Sequence, residues 1–218
     1  MKKGISLIFA IICLSIVGKA QLSKTIIPQN QVWLSINSSN RFSEHFGLIA
    51  DFHTRRNNFL QDDNFYFARL GGAYWVNSQL TIVAGAAHLW LAQELPNAQK
   101  AFQNENRIYQ QLQWRQNVGR ATLVQRIRNE QRWHKLLNGN GDYYRTRFSN
   151  RIRFLSSVTF KLFTNPKLPQ FNISDEVHIH FGKDIVFNTF DQNRVFAGFK
   201  IPLTSHLKFD IGYMLVYQ

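Results

Sequence analysis

Three polar side chains in the C-terminal part of the chain have a spacing that could support chemistry. Glu176, His178 and His180 alternate with apolar residues, so in a β-strand all three point to one face. Such a set could bind a metal ion, and an imidazole could activate a serine hydroxyl. No Gly-x-Ser-x-Gly motif supplies that serine. We expect both histidines to hydrogen-bond to carboxylates, keep metal binding as the alternative, and predict no catalytic residue and no cofactor.

Arginine also has a regular spacing. Between residues 119 and 133 charged residues alternate with apolar ones, and the alternation continues in later segments. Guanidinium groups bind carboxylates and phosphates through paired hydrogen bonds. These arginines could therefore form ion pairs with carboxylates of the same chain or bind a small anionic ligand. The candidate site residues are Glu105, Arg107, Arg126, Arg128, Glu130, Arg132, Arg145, Arg147, Glu176 and Arg194.

The other face of the same segments is apolar. Leu123, Ile127 and Trp133 alternate with the arginines and therefore point to the opposite side of a strand. A sheet with one charged and one apolar face needs two solvents, which a closed barrel in a bilayer supplies. The sequence thus predicts an all-β fold, a single antiparallel transmembrane β-barrel of about ten strands with a polar, arginine-rich lumen.

Ten segments with strand patterns lie between turn signals. We predict strands at roughly 30–39, 44–56, 64–76, 79–91, 103–116, 120–134, 142–160, 170–181, 190–201 and 206–217. Most have at least ten residues, as a tilted membrane strand requires. With these bounds the longer connections follow even-numbered strands and would face the periplasm, the reverse of the usual asymmetry.

The first twenty residues have the pattern of an export signal. Lys2 and Lys3 precede the apolar run 5–17, and small residues lead up to Ala20. We predict cleavage after Ala20, with residues 21–218 as the barrel domain. Thirteen apolar residues are too few to span a hydrocarbon core about 30 Å thick as a helix. Cleavage would also remove Cys13, the only cysteine, so the mature chain would have no disulfide or thiolate site.

The chain is strongly basic, with a formal net charge of +13 at pH 7. Such a charge often indicates a nucleic-acid partner. Here, however, the arginines alternate along strands and do not cluster in a tail or helix. We therefore expect no nucleic acid as a partner.

Several short segments carry a family resemblance. They are Glu105-Asn106-Arg107, 126–132, Arg145-Thr146-Arg147, Asp175-Glu176, 190–194, Gly198 and Gly212-Tyr213. Together they resemble the bacterial outer-membrane barrel family catalogued as domain of unknown function 2490. The resemblance implies an outer-membrane location in a Gram-negative bacterium, with outer-membrane lipid as a partner. It implies no activity.

The last predicted strand alternates apolar and polar residues as far as Tyr217. It resembles the C-terminal signal of outer-membrane barrels, which implies the barrel-assembly machinery as a partner. We interpret the chain as a structural or anion-binding envelope protein. The alternatives are an outer-membrane lipid or lipopolysaccharide hydrolase, a narrow anion-selective pore, and a secreted β-sandwich whose basic face binds acidic polymers.

Overall fold

The computed structural model describes residues 28–96, 100–186 and 189–218, and the regular elements within these ranges are ten β-strands. They are β1 Gln31–Arg41, β2 Phe46–Asn57, β3 Asp62–Trp75, β4 Leu80–Glu94, β5 Lys100–Val118, β6 Ala121–Leu137, β7 Tyr143–Lys161, β8 Gln170–Phe181, β9 Phe190–Pro202 and β10 Lys208–Tyr217. The predicted all-β class and strand count are confirmed. No helix in the described ranges is long and apolar enough to cross a membrane. The predicted signal peptide, residues 1–20, lies outside them.

The strands form one antiparallel sheet in which each strand pairs with the next in sequence. The sheet curls into a half-barrel, and side chains of β2 and β9 contact the same residue of β1, Trp33. The described strands β1 and β10 do not pair with each other, so the predicted closure by a continuous ladder is not present. Among the described strands, β10 pairs with β9 alone, and eight of its ten residues are exposed.

The connections at the two ends of the sheet have similar lengths. Those after odd-numbered strands contain two to eight residues, and those after even-numbered strands contain four to eight. The predicted asymmetry is wrong because polar residues at the strand ends are paired. For example, Glu94 at the end of β4 is opposite Lys100 at the start of β5. The sequence had indicated a long loop there.

The two faces of the sheet have the predicted composition. A single curled sheet can bury side chains only on its concave side, where the arginine-rich positions are found. Buried charged residues there include Glu105, Arg107, Arg128, Glu130, Arg132, Arg151, Arg153 and Glu176. The convex face exposes large apolar side chains on every strand, including Leu34, Phe52, Leu70, Ile82, Leu112, Ile127, Phe154, Ile173, Phe199 and Ile211.

Uncharged polar residues interrupt the apolar convex face, and they bind one another. The side-chain amides of Asn129 and Gln131 on β6 each donate to Gln110 of β5 at 3.2 Å. His88 of β4 lies 2.6 Å from the side-chain oxygen of Asn106 on β5. Each of these five polar side chains therefore has a partner within the face, which an apolar solvent would require.

The concave side is not polar all the way round. On β3 and β4 most of its residues are small or apolar, with Arg69 of β3 as a charged exception, and Phe67, Ala87 and Leu89 form a buried cluster there. Ala73 and Val83 form a second cluster with Tyr109 of β5. The arginines of β5–β9 therefore face an apolar wall across the interior, an asymmetry that strand alternation alone did not predict.

Gly71 of β3 is needed because the Tyr109 side chain lies over it. A Cβ atom at position 71 would overlap the Tyr109 hydroxyl and lie 3.0 Å from Val83 Cγ1. We expect Gly71→Val to lower the free energy of unfolding by about 1–3 kcal/mol, the usual effect of overpacking. Urea-induced unfolding of the purified protein in detergent, followed by tryptophan fluorescence, measures the change.

Gly72 provides the matched control. It is the next residue on the same strand, and a Cβ atom there would have no neighbour within 4 Å. Gly72→Val should therefore unfold at nearly the same urea concentration as the wild type. Equal losses in the two variants would contradict the packing of Tyr109 on Gly71.

Candidate functional site

The candidate site is a network of charged side chains on the concave side of β5 to β9. Because side chains alternate along a strand, every second residue of each strand reaches the network. The register aligns them across the sheet: Glu130 of β6 pairs with Tyr109 of β5 and Arg151 of β7. Three glutamates, Glu105, Glu130 and Glu176, are buried and organise the arginines around them.

Glu130 is the centre of the network and is 2% exposed. Arg151 donates to its Oε2 from Nε at 2.9 Å and from Nη2 at 2.6 Å. Arg153 Nη1 donates to the other oxygen at 3.0 Å. Arg107 and Arg128 complete the surround, with Nη1 atoms 3.5 and 3.8 Å from the carboxylate. One carboxylate thus neutralises part of the charge of four arginines.

Glu176 of β8 extends the network toward β9. Arg153 donates to both of its oxygens, from Nε at 3.0 Å and Nη2 at 2.7 Å, and so links Glu176 to Glu130. Arg126 Nη2 donates to Oε1 at 2.5 Å. Arg194 of β9 is more distant, with its Nη1 atom 3.9 Å from Oε2.

Glu105 of β5 forms the third centre. It accepts from Arg107 Nε at 2.5 Å and from Arg132 Nε at 2.7 Å. His134 Nδ1 lies 2.9 Å from the second carboxylate oxygen. His134 was not among the members predicted from the sequence. Its position two residues after Arg132 on the same face was the signal that could have identified it.

Asp191 of β9 was also missed. The register shifts between His178 and Ile179, so that Gln192 and Phe190 pair with them and Asp191 is the extra residue of a bulge. Bulges re-aim side chains, and the Asp191 carboxylate lies 3.0 Å from Arg151 Nη1 and 3.3 Å from His180 Nδ1.

Three predicted members form no hydrogen bond with these three glutamates among the described residues. Arg128 donates from Nε at 2.9 Å to the side-chain oxygen of Gln111, and it lies over the Tyr109 ring. Arg147 is half-buried, and its Nε has no hydrogen-bond partner among the described residues. Arg145 does not join the buried network. It is 54% exposed near the start of β7 and pairs with Asp184 at 3.2 Å, because that end of the strand lies at the rim.

The histidines bind carboxylates, as expected. His178 is fully buried, and its Nε2 lies 3.0 Å from Glu176 Oε2. His180 contacts Asp191. In the described part of the chain, no group of three potential ligands is arranged to hold a metal ion.

The concave side carries more positive than negative charge. Its buried or half-buried carboxylates are Asp51, Glu105, Glu130, Glu176 and Asp191. The ten buried or half-buried arginines there are Arg55, Arg69, Arg107, Arg126, Arg128, Arg132, Arg147, Arg151, Arg153 and Arg194. Aromatic rings stabilise part of the excess positive charge through cation–π contacts, since Arg69 and Arg107 lie over Phe67. Chemically, this arrangement can bind anions.

The fold and the network define a class of protein: a barrel-like, ten-stranded antiparallel sheet with an arginine–glutamate network on its concave side. The family model described as protein of unknown function (DUF2490) matches residues 30–218, and the chain belongs to this family. This confirms the family to which the sequence motifs pointed. Neither the curated proteins nor the solved structures contain a match.

Proposed function

We propose that this protein is an outer-membrane β-barrel of a Gram-negative bacterium, with a structural interior of paired arginine and glutamate side chains. Outer-membrane lipid surrounds the barrel, and the barrel-assembly machinery is the partner that inserts it into the membrane. The observation that carries the proposal is the continuous set of exposed, large apolar side chains on the convex face of all ten strands.

The convex face is suited to hydrocarbon and not to water. Soluble proteins rarely expose large contiguous apolar surfaces, whereas membrane barrels carry an apolar band on the outside and polar residues inside. Along one row of the sheet, Leu112 pairs with Ile82 on one side and with Ile127 on the other. All three side chains are exposed. The pairing of Gln110 with Asn129 and Gln131 further suits this face to lipid.

Membrane insertion also requires the edges to close. Among the described strands, β1 pairs only with β2 and β10 only with β9, and hydrocarbon cannot hydrogen-bond the backbone groups of an open sheet edge. Because the sheet has an even number of strands in sequential antiparallel order, β1 and β10 also run antiparallel. We propose that these two strands pair in the bilayer, so that the half-barrel becomes a cylinder.

Fractionation of the cell envelope tests the proposal. We expect the protein in the detergent-dependent outer-membrane fraction. Its unboiled form should migrate differently from its boiled form in gel electrophoresis, because a closed hydrogen-bonded barrel withstands detergent until it is heated. A known soluble periplasmic protein and a known outer-membrane barrel serve as controls. Recovery in the aqueous periplasmic fraction with an unshifted band would overturn the proposal and favour a secreted sandwich.

A further inference from the structure

Arg55 is one of the arginines on the concave side that have no counter-ion among the described residues. Arg55 of β2 forms no ion pair or hydrogen bond with another described residue, and its guanidinium lies 3.3 Å from the centre of the Trp33 ring and 4.3 Å from that of Phe65. The strongest charge interactions on Arg55 come from other arginines, with Arg194 first among them. The Arg55 guanidinium thus contacts two aromatic rings and is repelled by the positive charges of neighbouring arginines.

Arg194 brings a second under-compensated charge to the same place. Its guanidinium lies 5.1 Å from the Trp33 ring. Its one carboxylate neighbour, Glu176, is 3.9 Å away and already accepts from Arg126 and Arg153 at 2.5–3.0 Å. Trp33 therefore connects two guanidinium groups, from β2 and β9: the described carboxylates leave Arg55 without a counter-ion and compensate Arg194 only in part.

The three residues lie near one end of the sheet and keep part of their surface exposed, 15% of the side chain for Arg194. Trp33 is the third residue of β1, and Arg55 lies two residues before the end of β2, so both are near the end of the sheet that carries the chain termini. Trp33, Arg55 and Arg194 are all only half-buried. A small solute could reach both guanidinium groups without disrupting the ion pairs around Glu130.

We propose that Arg55, Arg194 and Trp33 form a binding site for a phosphate group. Two surplus positive charges match a phosphate monoester, which carries a charge of about −1.5 to −2 at pH 7. The guanidinium groups offer paired donors to its oxygens. The inference rests on the proposed barrel, because the site exists only on the concave side of the curled sheet. The phosphate could belong to a free solute or to a lipid headgroup.

Binding of inorganic phosphate to the purified, detergent-folded protein tests the site. Calorimetric titration should show saturable binding in the wild type. Arg55→Gln and Arg194→Gln should each weaken it about tenfold or more, the effect of losing a charge-assisted hydrogen bond. Arg55→Lys keeps the positive charge but loses the paired donors of the guanidinium group. Its affinity for phosphate should lie between that of the two glutamine variants and that of the wild type. Lys135→Gln removes one charge from an exposed residue on the convex side and should leave binding unchanged.

Two further measurements make the result decisive. Arg55→Gln removes no ion pair, although it loses the contacts with the Trp33 and Phe65 rings. It should therefore still fold and keep the heat-shifted band, and binding lost in a heat-shifted variant cannot be attributed to misfolding. Acetate, a monoanion, should bind more weakly than phosphate. Absence of phosphate binding in the wild type, equal binding of acetate, or unchanged binding in Arg55→Gln would each overturn the inference.

A competition experiment identifies the source of the phosphate. Vesicles containing phosphatidic acid should displace inorganic phosphate if the natural ligand is a lipid headgroup, and should not if it is a free solute; either result is compatible with the site. The boiled and unboiled samples are compared on a gel in parallel. A heat-shifted protein that binds no phosphate refutes the site and leaves the barrel standing. An unshifted, water-soluble protein refutes the barrel itself.

Discussion

Glu130→Gln should destabilise the protein more than any other neutral, similar-sized substitution in the network. Glutamine retains the shape of the side chain but removes the charge that Arg151 and Arg153 contact at 2.6–3.0 Å. Arg107 and Arg128, within 4 Å, also lose their shared counter-ion. Breaking a buried ion pair from one side costs about 3–5 kcal/mol because the remaining charge stays buried without compensation. Urea unfolding in detergent or vesicles should show a loss of this size, or a failure to fold.

Two variants separate the charge effect from a general sensitivity of the barrel. Glu94→Gln makes the same chemical change at an exposed residue at the end of β4 and should alter stability by about 0.5 kcal/mol at most. Adding Arg151→Met to Glu130→Gln removes one of the uncompensated charges, so the double variant should lose less than the sum of the single losses. Additive losses, or equal losses for Glu94 and Glu130, would contradict the central role of Glu130.

The alternation of residue types predicted the faces of the sheet well, because a strand has a period of two and the arginines sit at every second position. Glu105, Glu130 and Glu176 all lie on the expected side and are buried. Their grouping into three centres was not predictable, because it depends on the stagger between strands. Arg153, for example, lies opposite Arg128 in the register but binds Glu130 and Glu176.

Residues at irregular positions of the strands were the other part of the site that the sequence did not predict. Asp191 reaches the interior only because a bulge adds one residue to β9, and no local residue pattern marked that shift. Arg55 has an inward position two residues from the end of β2, and its surroundings come from strands β1, β3 and β9. Alternation gives the side of a strand on which a residue lies, whereas the partners of that residue follow from curvature.

The apolar wall explains how so much charge can be held on one side of a single sheet. Phe67 of β3 and Tyr109 of β5 provide ring surfaces to Arg69, Arg107 and Arg128 at 5.2–5.6 Å. These contacts cover guanidinium surfaces that carboxylates do not reach, and each contributes about 0.5–2 kcal/mol when desolvated. Curling of the sheet is therefore favoured in two ways. Arginine side chains pack against aromatic rings across the interior, and arginines and glutamates of β5–β9 form ion pairs with one another.

Leu112→Arg should separate a membrane-embedded convex face from a water-exposed one. Leu112 is 45% exposed, and its cross-strand neighbours are Ile82 and Ile127. In lipid, an arginine at the middle of the apolar band costs about 2–4 kcal/mol. In water, the same substitution at an exposed site would change stability by only about 0.5 kcal/mol. Unfolding of the vesicle-inserted protein by urea should therefore show the larger loss.

The control for this variant lies on the same strand and the same face. Val118, the last residue of β5, is 53% exposed, and at the edge of the bilayer an arginine costs only about 0–1 kcal/mol. Val118→Arg should thus be tolerated, although it exposes a charge on the same side as Leu112→Arg. The two substitutions differ only in their depth along β5. If both are tolerated equally, water and not hydrocarbon covers the convex face, and the proposed membrane location is refuted.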